Sequence, residues 1–281
     1  MPGIVRHPAV AGRFYPSEPG ELLESLDSFL HPHEPSIRAI GCVVPHAGYV
    51  YSGAVAGAVF RRIEVPQRSI ILCPNHTGRG TSLSIMSEGA WQTPLGLVAI
   101  DSQLAVALKQ AFPLLKEDWQ AHLHEHAIEV ELPFLQVRWD QARQGQMGGR
   151  TNLTFVPIVL GTIDFEALTA LGNALAQVVV GQRDHVLIIA SSDMNHYESD
   201  EVTRVKDHRA IEKILALDTR GLFEVAEKEH ITMCGLGPTV SMITAAQHLH
   251  ATHADLAAYA TSADISGDYR RVVGYAGILL H

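Results

Sequence analysis

Cysteine is scarce: Cys42, Cys73 and Cys234 are the only three in 281 residues, too few for a disulfide framework. Cys42 and Cys73 sit in apolar, strand-like runs, where a free cysteine behaves as a small hydrophobe. Basic clusters are missing too. No basic run exceeds the pairs Arg61-Arg62 and Arg270-Arg271, and the net charge is −9. Nucleic-acid backbones are held by grouped Lys and Arg, so nucleic acid is excluded as the main partner. No apolar segment approaches the roughly 18 residues of a membrane span. The stretch from Met1 to His7 lacks the apolar core of a signal peptide. A soluble, cytoplasmic protein is expected, and its unpaired cysteines suit a reducing compartment. No repeat of about 20–50 residues occurs, which excludes a solenoid. Nor does a linker divide the chain. The nearest candidate, the polar stretch 143–150, reads as a surface loop, so residues 1–281 are read as a single domain.

What is present is a large apolar fraction, 47%, arranged as alternating strands and helices. Strands are expected at 39–44, 69–73, 154–160, 185–190, 256–261 and 273–280. Segments 83–86 and 97–100 read as a hairpin around Thr93-Pro94-Leu95-Gly96. Helices are expected at 21–30, 52–63, 102–112, 127–137, 164–180, 202–217, 222–229 and 239–249. Runs such as Val186-Leu-Ile-Ile-Ala190 are apolar at every position, the mark of strands covered on both faces. The expected fold is α/β: a single three-layer α/β/α domain with a central mixed sheet.

Ligands of open α/β sheets bind beyond the carboxyl ends of the strands. After 39–44 comes Pro45-His46-Ala-Gly-Tyr49. After 69–73 comes Pro74-Asn-His76-Thr-Gly78. After 185–190 comes Ser191-Ser-Asp193-Met-Asn-His196. Three strands thus deliver a histidine to one edge of the sheet. Prolines and glycines stiffen and turn the first two loops. Of the other histidines, His31, His33, His248, His250 and His253 fall in polar surroundings and read as surface residues. Cys234 lies outside any periodic apolar run, just before the helix at 239–249, where a helix N-terminus favours thiolate.

Several markers, in order from residue 6 to 277, give the chain a family resemblance. They are Arg6-His-Pro-Ala-Val-Ala-Gly-Arg-Phe-Tyr-Pro16, Pro45-His-Ala-Gly-Tyr49 with Ser52-Gly53, and Pro74-Asn-His76. Next come Glu125-His-Ala-Ile-Glu129 with Leu132-Pro133, Ser191-Ser-Asp193 with His196, Cys234-Gly235, and Gly267-Asp-Tyr-Arg-Arg-Val-Val-Gly-Tyr-Ala-Gly277. Together they resemble the Memo family, called AmmeMemoRadiSam system protein B in prokaryotes. Asn75 and Ala263 stand where the family often has Ser and Gly.

The resemblance implies a fold similar to class III extradiol ring-cleaving dioxygenases, which hold Fe(II) on two histidines and a glutamate. His46 and His76 match the histidines, and Cys234 stands where the carboxylate is expected. A softer thiolate widens the metals to Fe(II), Cu or Zn. His196 resembles the acid/base histidine, with Asp193 to orient it or to complete the metal shell. Glu125, His126 and Glu129 fall at the start of the helix at 127–137, the last two on one face. They read either as support, a carboxylate orienting a ligating or catalytic imidazole, or as a first turn made acidic by the helix dipole. The implied function is that of an iron- or copper-dependent redox protein or oxidoreductase acting on a small molecule. The alternatives are a non-catalytic metal-binding module for peptides, and a hydrolase with Cys234 as nucleophile and His196 and Asp193 as base and orienter. A radical-SAM protein is the implied system partner.

Overall fold

Strands that are apolar at every position form the middle of one mixed sheet. The computed structural model describes residues 4–32, 34–142 and 152–281. Its strands are β1 (Val5–Arg6), β2 (Gly41–Val44), β3 (Arg68–Pro74), β4 (Leu83–Ile85), β5 (Ala90–Thr93) and β6 (Gly96–Ile100). They continue with β7 (Lys116–Glu117), β8 (Thr154–Leu160), β9 (Val186–Ser191), β10 (His196–Glu198), β11 (Ala254–Thr261) and β12 (Val272–Leu280). The main path through the sheet runs β1-β5-β6-β8-β3-β9-β2-β12-β10. From β6 to β2 every pairing is parallel. The β2–β12, β12–β10 and β12–β11 pairs are antiparallel, which makes the sheet mixed.

Successive side chains on a strand point to opposite faces. Val43, Ile70, Leu72, Ile158 and Ile188 enter one apolar core, while Cys42, Val44, Ile71, Cys73, Val159 and Ile189 enter another. Helices close both. α1 (Pro19–Leu30), α2 (Tyr49–Phe60) and α5 (Ala127–Ala142) cover the face that holds Cys42 and Cys73. α3 (Ser102–Ala111), α6 (Phe165–Val180), α7 (Asp200–Leu215), α8 (Thr219–Lys228) and α9 (Leu236–His248) cover the other. Short turns α4 (Gln120–Leu123) and α10 (Ala263–Ser266) complete the described elements. The result is the expected α/β sandwich. No helix among the described residues is long and apolar enough to cross a membrane.

Two expectations need correction. The hairpin around Thr93–Gly96 joins β5 to β6, whereas residues 83–85 pair antiparallel with β8. The apolar run at 83–86 looked the better partner, but Ala90–Thr93 leads directly into the turn and alternates buried Trp91 with exposed Gln92. Helices α1, α2 and α9 also start earlier than their apolar periodicity implied, at Pro19, Tyr49 and Leu236. Pro19 needs no amide donor in a first turn, so it opens α1 without cost. The stretch 143–150 and His33 lie outside the described residues. His31, His248, His250 and His253 are exposed, as their polar surroundings suggested.

The adjacent order β3-β9-β2 brings together the ends that carry His76, Asp193 with His196, and His46. Asp207 on α7 braces the middle loop. It is fully buried and accepts hydrogen bonds from the Asn195 amide (2.8 Å) and the Tyr259 hydroxyl (2.7 Å). Burial raises its pKa to about 6, against the pull of those bonds. The folded protein therefore holds this proton more tightly than the unfolded chain does. The Asp207 contribution to stability grows as pH falls through about 6 and is complete below about 4. Asp207→Asn is expected to remove on the order of 2 kcal/mol of that low-pH gain. Urea melts of the two proteins at pH 7 and pH 4.5 measure it, and parallel profiles would contradict it.

Candidate metal centre

His46 follows β2 and is 1% exposed. Its amide donates to Asp193 Oδ1 (2.9 Å), and its Nδ1 lies 2.8 Å from Ser191 Oγ. Burial, helped by the neighbouring imidazoles of His76, His126 and His196, holds its pKa well below the ordinary histidine value. It is a neutral imidazole with Nε2 left for another partner. Cys234 Sγ stands 3.4 Å from that nitrogen.

His76 follows β3 and is held by Glu125, whose carboxylate accepts its amide (2.7 Å) and its Nδ1 (2.8 Å). Burial opposes protonation of His76, but the hydrogen bond and charge of Glu125 outweigh it and raise the pKa. The His126 and Ala127 amides also donate to Glu125 (2.9 and 3.1 Å). Four N–H groups thus hold a fully buried carboxylate, three on Oε1 and one on Oε2, and its pKa stays low despite burial because His76 stabilises its charge. His76, Glu125 and His126 form a second group of potential ligands. In the arrangement present, Glu125 binds both the amide and the ring of His76 and so orients that imidazole.

Cys234 precedes α9 and is the third candidate donor. One potential ligand atom from each of His46, His76 and Cys234 lies within 4.8 Å of the other two. Two ligand atoms roughly 2.0–2.3 Å from one tetrahedral ion stand roughly 3.5 Å apart, close to the His46–Cys234 separation. A further observation fits a metal: both imidazoles have Nδ1 engaged by a partner group, and His46 Nε2 meets the Cys234 thiol, the arrangement that partner groups impose on ligating histidines. The helix terminus does not make Cys234 a free thiolate, as the sequence suggested. Burial first, and Asp193 second, push its pKa well above the ordinary thiol value. A metal would have to displace that proton. Gly235 lets the segment approach. A Cβ there would lie 2.3 Å from the Ser191 carbonyl oxygen, so no larger residue could bring Cys234 to this edge.

Asp193 is 6% exposed, and burial raises its pKa to about 6 against the His46 amide bond. It stands beside Cys234, donating its amide to Sγ at 3.3 Å. Its expected alternative task of orienting His196 falls instead to Thr232. The Thr232 carbonyl accepts from His196 Nδ1 (2.9 Å), and its hydroxyl accepts the His196 amide (2.8 Å). That tautomer leaves His196 Nε2 as a base, and burial keeps it neutral by lowering its pKa. Tyr197, next to it, has φ 64°, uncommon for a residue with a Cβ and a mark of a constrained turn at a functional site.

The supporting role read for Glu129 needs correction as well. Glu129 pairs with Arg6 and accepts from Tyr15 Oη (2.6 Å) and the Ala9 and Val10 amides (2.8 and 3.0 Å). Among the described residues these bonds go to the N-terminal segment, and none reaches a candidate ligand. A shared helical face placed it near His126, but the contact with His76 comes from Glu125 in the preceding turn. His126 itself joins the imidazole cluster, its ring centroid 4.7 Å from that of His76 and 5.6 Å from that of His46. Sequence reading also passed over Ser191 as a partner of His46. Behind it lies Glu131, fully buried, whose pKa burial drives well above the carboxylate range against a stabilising Ser191 contact.

Replacing Glu125 by Gln keeps the shape and loses the charge that fixes the His76 tautomer. Metal affinity is expected to fall about 10–100-fold. Competition against a chromophoric chelator measures this, and unchanged affinity would count against the orienting role.

His46, His76, His126, Asp193 and His196 line a cavity of about 510 Å³ with Phe14, Tyr51, Tyr197 and Tyr275 in its walls. Comparison with known proteins places the chain in context. The family described as Memo-like protein matches residues 6–279. A MEMO1 family protein of Methanopyrus kandleri is 39% identical over 287 aligned residues, covering 98% of each chain. One from Aquifex aeolicus is 40% identical over 277, again covering 98% of each. Another, from Methanosarcina barkeri, is 40% identical over 277, covering 98% of this chain and 100% of its own.

Proposed function

We propose, from the premise that this chain belongs to the Memo family, that it holds a divalent transition metal on His46, His76 and Cys234 and works as an oxidoreductase. The observation that carries this reading is the convergence of the three donors, with both imidazoles held at Nδ1, His46 by Ser191 and His76 by Glu125, which also fixes the His76 tautomer. Two neutral imidazoles and one thiolate suit Fe(II), Cu or Zn. When bound, such an ion supplies Lewis acidity and, as iron or copper, one-electron chemistry. The protein's own groups do the rest. Asp193 offsets the excess positive charge, His196 Nε2 accepts a proton from the substrate, and the aromatic walls exclude water.

The hydrolase reading fares worse. It needs His196 beside the thiol, whereas Cys234 Sγ meets His46 Nε2 and the backbone of Asp193, and His196 Nδ1 meets the Thr232 carbonyl. A thiol whose pKa burial drives upward is also a poor nucleophile.

The test is dioxygen uptake by iron-loaded protein across a panel of phenols. Uptake is expected with at least one, and His196→Gln should slow it while iron content stays constant. Full iron occupancy with no uptake on any phenol would favour a non-catalytic metal-binding module over an oxidoreductase.

A further inference from the structure

Two polar groups on the cavity wall have no partner and no part in holding a metal. Arg13 lines the cavity and is exposed, and its guanidinium makes no hydrogen bond or ion pair among the described residues. Arg6, Arg68 and Arg204, in contrast, are tied to carboxylates. Tyr275 on β12 is 2% exposed and lines the same cavity, and its hydroxyl makes no hydrogen bond among the described residues. Burial, then the nearby Asp193 charge, raise its pKa, so it stays a neutral hydroxyl able to donate.

The position of Arg13 is built, not incidental. Gly12 takes φ 76° to turn the chain, the Arg13 amide bonds to the Val10 carbonyl (3.0 Å), and the Phe14 carbonyl accepts the Tyr49 amide (2.7 Å). Glu129 clamps the preceding residues through the Ala9 and Val10 amides. The clamp fixes the backbone of Arg13 and Phe14, and both residues line a pocket whose phenol rings are Tyr51, Tyr197 and Tyr275.

We propose that this wall is a subsite for an aromatic carboxylate, with the ring against the aromatic side chains, the carboxylate on Arg13 and a polar ring substituent on Tyr275. The proposal deepens the oxidoreductase reading and rests on it for the identity of the pocket. Flat rings bury well against aromatic walls, and a cavity of this size fits a small molecule. A planar guanidinium matches a carboxylate in a two-bond fork. Arg13 is the only Arg or Lys lining the cavity among the described residues, and Asp193 shares the space. One cation beside one acid suits a monoanion better than a phosphate dianion.

Calorimetric titration of the metal-loaded protein with benzoate, benzamide and phenyl phosphate, at low salt, tests it. Benzoate is expected to bind more tightly than benzamide by about tenfold or more, the usual scale of a charge-assisted bond. Arg13→Gln should erase that preference while leaving benzamide affinity and metal content unchanged. Tyr275→Phe should weaken 4-hydroxybenzoate a few-fold more than benzoate. A benzoate preference that survives in Arg13→Gln would place the carboxylate on the metal and overturn the subsite. So would phenyl phosphate binding more tightly than benzoate, or no binding of either benzoate or benzamide. The two readings fail separately. Protein that takes up no metal yet prefers benzoate through Arg13 ends the metal reading alone, whereas metal-loaded protein without that preference ends the subsite alone.

Discussion

Glu129→Ala is expected to cost about 3–5 kcal/mol of folding stability, because removing one partner of a buried pair strands the other. Arg6 is 2% exposed and keeps the carbonyls of His122 and Glu125 and the face of Trp91, but no counter-charge, once the carboxylate is gone. Tyr15 Oη and the amides of Ala9 and Val10 lose their acceptor at the same stroke. Such a loss approaches the whole stability of a marginal protein. Urea denaturation followed by circular dichroism gives the number. A cost below about 1 kcal/mol, the level of an exposed pair, would contradict the clamp. Metal affinity of the folded fraction should change less than in Glu125→Gln, since the bonds of Glu129 go to the N-terminal segment and those of Glu125 go to His76.

The second large effect concerns the ligands. His46→Ala and Cys234→Ser are each expected to weaken metal binding by at least about a hundredfold. Structural zinc sites supply roughly 10–16 kcal/mol, so one donor of a three-residue site carries a share worth several powers of ten. Cys42→Ser and Cys73→Ser supply the control. Both cysteines are buried in the core that α1, α2 and α5 cover, so their loss should lower stability and leave affinity intact. Equal affinity in wild type and His46→Ala would remove His46 from the site.

The sheet was legible because its central strands are apolar at every position, which only a two-faced burial explains. Their carboxyl ends were legible for the same reason: His46, His76 and His196 are where polar residues resume. Pairing was less so, since Leu83–Ile85 and Ala90–Thr93 differ in hydrophobicity in the opposite sense to their place in the hairpin. The supports of the site were hardest to see. Glu125 reaches His76 across 49 residues of sequence, and Ser191 reaches His46 across 145. No local periodicity encodes such contacts. The acids Glu125, Glu129 and Glu131 lie within one short stretch, and only tertiary packing separates an orienter of His76, an anchor for Arg6 and a buried neutral acid. Cys234 shows the limit of a local electrostatic rule. Its helix terminus favours thiolate, but burial beside Asp193 outweighs it.

The central claim is that His46, His76 and Cys234 bind one ion together. Cobalt(II) loaded anaerobically in place of the native metal tests it most directly, because a thiolate bound to cobalt gives a sulfur-to-metal charge-transfer absorption in the near ultraviolet. The account predicts one cobalt per chain with that absorption in wild type. It further predicts that the absorption is lost in Cys234→Ser and survives in Cys42→Ser and Cys73→Ser. Cobalt bound at full stoichiometry without the absorption, or with an absorption that Cys234→Ser leaves unchanged, would contradict it.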